Sequence, residues 1–150
     1  MGKILNFKDK PKMIARLVQV VFGAVFLGVI VTVAPIKEAG IIAIPAILIP
    51  LILIIDGILR FLVIKNGITL DLMKKTLTYP KSYKMKTLEL LEITAASPTS
   101  EIHTGAKAGT STRSFNIELK GHFGNEKIIF ASKKIRDEVY DNLKEYINKK

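Results

Sequence analysis

The chain has 150 residues, 49% of them hydrophobic and 24% charged, with 23 Lys/Arg against 13 Asp/Glu and no cysteine. Without cysteine there is no disulfide framework and no thiolate metal site, and this length leaves room for one small soluble unit beside any membrane segment. The net charge of +10 splits evenly between residues 1–66 and 67–150; it suits an anionic partner, and beside a membrane anchor the leaflet is a nearer anion than nucleic acid, which is not expected as a partner.

Residues 1–16 form a basic segment in which Lys3, Lys8, Lys10, Lys12 and Arg16 outweigh Asp9. From Leu17 to Ile36 no side chain is charged, and a second apolar run, Ala39 to Ile64, holds only Asp56 and Arg60. A helix rises about 1.5 Å per residue, so roughly 20 apolar residues cover a hydrocarbon core of about 30 Å. Both runs read as transmembrane helices. The connector from Pro35 to Gly40 is short enough to join antiparallel neighbours, which makes 17–66 a two-span hairpin. Lysines flank its outer ends (Lys65, Lys74 and Lys75 follow the second run) while Lys37 and Glu38 balance in the connector. The positive-inside rule then places both termini in the cytoplasm of a bacterial-type inner membrane, in a multi-pass protein. A cleaved signal ending near Thr32, Val33 and Ala34 is the rival reading; a signal core is shorter, about 7 to 15 apolar residues, and no second span follows it.

Charge inside a span is costly and functional by default, which singles out Asp56 and Arg60. Asp56 lies near the inner end of the second run, where an i,i+4 partner and snorkelling satisfy both groups; a structural ion pair is expected, with a contact to another subunit or a transported species as the alternative. Pro45 and Pro50 remove helix donors, and a kinked span is expected ahead of a gating hinge. Gln19 is placed to hydrogen-bond to the partner helix. Gly23 and Gly28, five apart, do not make a small-xxx-small pair.

Residues 67–150 read as the soluble domain. Ile68, Leu70 and Leu72 alternate with polar residues, Met73 to Lys75 turn, and Thr76 to Tyr79 return until Pro80 stops the strand. Leu88 to Ala95 is a third strand whose apolar phase switches between Leu90 and Leu91, as at a bulge. Thr94 to Ser114 is rich in Ser and Thr with Ile102 its only large apolar residue, so a long mobile loop is expected, with at most a short strand near Glu101 to Thr104. Phe115, Ile117 and Leu119 alternate, residues 121–125 turn, and Lys127 to Ala131 complete a hairpin. Ser132 is an N-cap for a final amphipathic helix with Ile135, Val139, Leu143 and Ile147 on one face.

The apolar hairpin, the Gly67-led strand with Asp71, Lys74, Lys75 and Tyr79, the strand containing Glu92 and Ile93, and the Phe115 hairpin running into Phe130, Ser132, Arg136 and Tyr140 together resemble the membrane-anchored bacterial PH-like domains. The resemblance covers most of the chain and rests on packing patterns. It implies an α+β architecture: the two-helix transmembrane hairpin, then a small antiparallel PH-like sheet or partial barrel closed by a C-terminal helix. It also implies tethering and assembly without a shared catalytic residue, and closed homo-oligomers. Five strands are legible where such a domain has seven. Phosphoinositide-binding PH domains interleave Lys and Arg after the first hairpin turn; here that region has Lys74, Lys75, Lys81, Lys84 and Lys86 without arginine, so a specific inositol-phosphate pocket is not expected. These five lysines are instead candidate contacts to anionic lipid or a solvated basic face.

His103 and His122 stand without ligand-spaced neighbours, so no metal is expected. Gly105 to Thr110 has its lysine before the second glycine and lacks the order of a phosphate loop. No nucleophile-base-acid set or dinucleotide fingerprint is present; no cofactor, small-molecule substrate or catalytic residue is expected, and the reading is not an enzyme. A membrane-anchored scaffold presenting a PH-like domain is the leading expectation, working as a homo-oligomer or in a larger membrane complex. A small subunit of a transport or secretion complex acting through the kinked hairpin, and a weakly lipid-responsive domain, are the alternatives.

Overall fold

The computed structural model describes residues 3–33, 43–104 and 111–148. The expected connector from Pro35 to Gly40 and the Gly105 to Thr110 stretch lie outside them. The chain is α+β, in the order β1 (Ile4–Phe7), α1 (Lys10–Val33), α2 (Ala43–Ile64), β2 (Ile68–Asp71), β3 (Thr76–Lys81), β4 (Lys84–Glu89), a 3-10 turn (Leu90–Glu92), β5 (Ile93–Thr104), β6 (Ser111–Gly121), β7 (Gly124–Phe130) and α3 (Lys133–Asn148). Both sheets are antiparallel, ordered β1-β2-β3-β4 and β5-β6-β7.

The two long helices are apolar enough to cross a membrane and leave most of their side chains uncovered. At about 1.5 Å per residue each is longer than 30 Å, and they pack side by side. Their close approach is set by glycine. A Cβ on Gly23 would meet Ile54 Cγ1 at 2.9 Å, and one on Gly57 would meet Val20 Cγ2 at 2.7 Å, whereas Gly28 faces open space. The small residues thus act across the pair, one on each helix, where the sequence suggested none.

The prolines divide. Pro50 is buried inside α2. Pro45 lies in the first described turn of α2, and Ile41, the residue whose carbonyl its missing amide would have met, lies outside the described residues, as does the kink expected there.

Four further expectations are corrected. The basic N-terminal segment contributes a strand to the domain assigned to 67–150: β1 pairs with β2 across the intervening helices, with Ile4 opposite Asp71 and Phe7 opposite Ile68. Thr94 to Thr104 is ordered as β5, hydrogen-bonded along β6 from Ile93 opposite Gly121 to Thr104 opposite Ser111; the expected mobile loop is largely one arm of a long hairpin. Its order comes from the ladder, because Ala95, Ser97, Pro98 and Ser100 are exposed and bury little apolar surface. Pro80 stays within β3, opposite Met85, and the phase switch after Leu90 is a 3-10 turn between two strands, followed by a register shift between Ile93 and Ala95. Among the described residues seven strands therefore stand where five were legible.

One core joins the sheets and the last helix. Leu70, Leu77 and Leu88 come from the first sheet, Ile117, Leu119, Ile128 and Phe130 from the second, and Val139 and Leu143 from α3. Ser132 begins α3 as expected, with its Oγ accepting from Ile135 N at 3.5 Å and its carbonyl from Arg136 N at 3.1 Å. Arg136 is buried; its Nη1 donates to Thr99 O at 3.0 Å and its guanidinium lies 5.7 Å from the Phe115 ring centroid. The last helix thereby holds the middle of β5.

Candidate functional site at the junction of helices and sheet

The chain leaves β1, runs out along α1, returns along α2 and enters β2, so the first turns of α1 and the last turns of α2 meet the sheet together. Gly67 makes the return possible. Its φ of 74° is in the region that favours glycine, and a Cβ there would come within 2.6 Å of Phe7 O and 2.7 Å of Asn6 Oδ1.

Polar contacts fix the helices to the domain. Asp9 Oδ2 accepts from Ala131 N at 2.7 Å, and Lys12 Nζ donates to Ile129 O at 2.8 Å. On the other side, the β3–β4 turn brings Tyr83 to α2. Its hydroxyl donates to Asp56 Oδ1 at 2.5 Å and accepts from Arg60 Nη2 at 3.0 Å, with the Arg60 guanidinium 4.9 Å from the ring centroid.

Asp56 is the centre of this arrangement. Arg60 Nε donates to Oδ1 at 2.7 Å, making the i,i+4 pair. Gln19 Nε2 donates to Oδ2 at 3.0 Å and to Leu53 O at 3.1 Å, while Gln19 Oε1 accepts from Arg16 at 2.7 Å. One carboxylate thus ties α1, α2 and the β3–β4 turn. The sequence singled out the ion pair and the reach of Gln19. It missed Tyr83, whose only signal was an aromatic residue in a lysine-rich turn.

The five candidate lysines fall at two ends of the first sheet. Lys74 and Lys75 occupy the β2–β3 turn, which Asp71 closes by accepting from Met73 N and Lys74 N, each at 2.9 Å. Lys81, Lys84 and Lys86 lie at the opposite end of β3 and β4, six residues or about 20 Å away along the strand. Lys74 and Lys75 thus stand at the end of the sheet away from the turn that meets α2. Lys81 and Lys86 are held by Glu126 of β7, Lys81 at 2.7 Å, and the buried Tyr79 hydroxyl donates to the same carboxylate at 3.1 Å. The hydrogen bonds from Lys81 and Lys86 hold the Glu126 carboxyl down to about 2, against an opposing effect of burial. Burial, then the neighbouring Glu126, pushes the Tyr79 phenol up.

A cavity of about 360 Å³ opens at this junction, lined by Lys12 and Arg16 of α1, Arg60 and Ile64 of α2, the β3–β4 turn, and Lys127 and Ile129 of β7. Neither His103, which lies 3.1 Å from Ser114 Oγ, nor His122 reaches it. No known family model, curated protein or solved structure matches the chain.

Proposed function

We propose that the chain is a non-enzymatic, membrane-anchored interaction protein, in which two spanning helices hold a PH-like domain rigidly at the cytoplasmic surface for assembly with itself or with larger membrane complexes. The pairing of β1 with β2 carries this reading. Hydrogen-bonded strands lie on one side of any membrane, so helices inserted between them must leave and return on the same side. A two-span hairpin satisfies that requirement and a single span does not.

Charge supports the cytoplasmic assignment, since Lys3, Lys8, Lys10, Lys12, Arg16 and Lys65 all lie at the sheet end of the helices. The four-plus-three arrangement of strands with a C-terminal helix supports the PH-like reading. Assembly would use strand edges, where unpaired backbone groups can extend a sheet. β5 is such an edge and exposes Ile102. The fixed junction supports a scaffold, because contacts made by the domain are then presented at a set height and angle to the bilayer.

The test exploits the register. Phe7 and Ile68 are cross-strand partners, so replacing residues 8–67 by Asn-Gly joins β1 to β2 through a two-residue hairpin turn. The excised protein is expected to fold in water and to retain self-association in analytical ultracentrifugation. A folded monomer, together with a full-length chain that co-purifies with a larger complex through its helices, would reject the scaffold in favour of a subunit acting through its hairpin.

A further inference from the structure

We infer that the junction cavity is a binding site for a phosphate-bearing anion, and that its occupant in the membrane is the headgroup of an anionic glycerophospholipid. The inference adds a ligand to the junction and rests on the membrane reading only for the source of that ligand.

The wall is built from four elements that each contribute cations: Lys12 and Arg16 from α1, Arg60 from α2, Lys81 from the end of β3 and Lys127 from β7. Among the described residues no carboxylate lines it. Asp56, Glu126 and Glu101 hold Arg60, Lys81 and Lys127 from outside the wall, and Asp9 occupies a small adjoining recess beside Lys12. These contacts orient the cations without using up their donors. Arg16 gives one hydrogen bond to the neutral Gln19 amide, and Arg60 engages Asp56 and Tyr83 through Nε and Nη2, leaving its second terminal nitrogen for another acceptor. A phosphate diester supplies charge and acceptor oxygens together, which is the chemistry arginine forks recognise best.

Position selects the lipid. The cavity sits where the apolar helix surface stops and the polar domain begins, the level of headgroups when the helices span a bilayer. Its volume falls within the roughly 300–1,000 Å³ common for ligand pockets. A zwitterionic headgroup would bring its own cation to a wall that offers cations and no carboxylate among the described residues, so the net-anionic class is preferred. The site differs from an inositol-phosphate pocket in sequence position, since Lys12, Arg16 and Arg60 belong to the helices.

The test is a titration of the full-length protein in neutral detergent with short-chain phosphatidylglycerol, short-chain phosphatidylcholine and glycerol 3-phosphate, read by thermal shift and by native mass spectrometry. Phosphatidylglycerol is expected to bind and phosphatidylcholine to bind more weakly. Arg16→Gln and Lys127→Gln, placed on different elements, should each weaken phosphatidylglycerol by roughly tenfold, the consequence of losing one charge-assisted contact. Lys74→Gln and Lys75→Gln, carrying the same charge change at the remote turn, should leave it unchanged. The unliganded melting temperature of each variant reports whether it is folded, and the second variant keeps the test open where the first is unstable.

Equal losses from the remote pair overturn the site in favour of diffuse electrostatics, and no binding of either anion overturns it outright. Glycerol 3-phosphate binding as tightly as phosphatidylglycerol would keep the phosphate site and overturn the lipid as its occupant. Retention of the protein in carbonate-washed membranes tests the spans separately. Its failure would remove the membrane reading while the glycerol 3-phosphate arm still decides the site.

Discussion

The helices and the sheet domain follow opposite patterns of burial. In α1 and α2 the large apolar side chains face outward, as with Phe22 and Val25, while Gln19, Asp56 and Arg60 meet one another. In the domain Leu77, Leu119 and Phe130 are fully buried and the lysines are outside. One chain therefore combines an apolar outer face on its two long helices with an apolar interior in its sheet domain. At the junction the polar groups the helices turn toward each other, Gln19, Asp56 and Arg60, meet the polar surface of the domain through Tyr83, and their hydrogen bonds satisfy one another.

The largest effect comes from breaking the domain's side of this contrast. Phe130→Ala should cost about 3–5 kcal/mol, the range for emptying a buried aromatic site, and unfold the domain while the helices remain. Phe22→Ala, a matched truncation at a position 64% exposed, should leave the domain intact. Urea unfolding followed by tyrosine fluorescence separates the two, since Tyr79 lies in the core and neither α1 nor α2 contains a tyrosine.

On the helix side the comparison turns on glycine. Gly57→Val would drive a side chain into Val20 and should cost about 1–3 kcal/mol, the usual range for overpacking. Gly28→Val faces open space and should be neutral. Disulfide cross-linking between cysteines placed along α1 and α2 in the full-length protein would report the separation, and equal efficiency in both variants would show that the helices do not depend on this contact.

What could be read from the sequence follows the same contrast. The two helices were legible because each is a long, nearly uncharged apolar run, and β6 and β7 because Phe115, Ile117 and Leu119 alternate against one core face. Strand β1 was hidden because it has four residues, exposes Ile4, and finds its partner only beyond two helices. The greater part of β5 was hidden because its stability lies in backbone pairing, to which a Ser/Thr-rich composition gives no apolar signal. The Asp56–Arg60 pair was legible as local i,i+4 chemistry, whereas the cavity was not, since its five cations become neighbours only when four elements have assembled.

The smallest effect belongs to Glu126, which joins the two sheets through Tyr79, Lys81 and Lys86. Its carboxyl is held at about 2 in the folded protein against 4.5 ordinarily. A depressed carboxyl stabilises the fold above its unfolded value, and that contribution disappears as pH falls from 4.5 toward 2. Glu101, lowered by Lys127, acts in the same direction, so some acid sensitivity persists without Glu126. Glu126→Gln should therefore lower stability by about 1 kcal/mol or less near neutral pH, because Lys81 is half exposed and its pair is screened. The variant and the parent should converge in acid, where the parent's carboxylate is protonated and its advantage is gone. Denaturation curves for the full-length protein collected across that acid range decide the matter: parallel curves would mean that the sheets are joined by apolar packing alone, and converging curves that this carboxylate contributes to their contact.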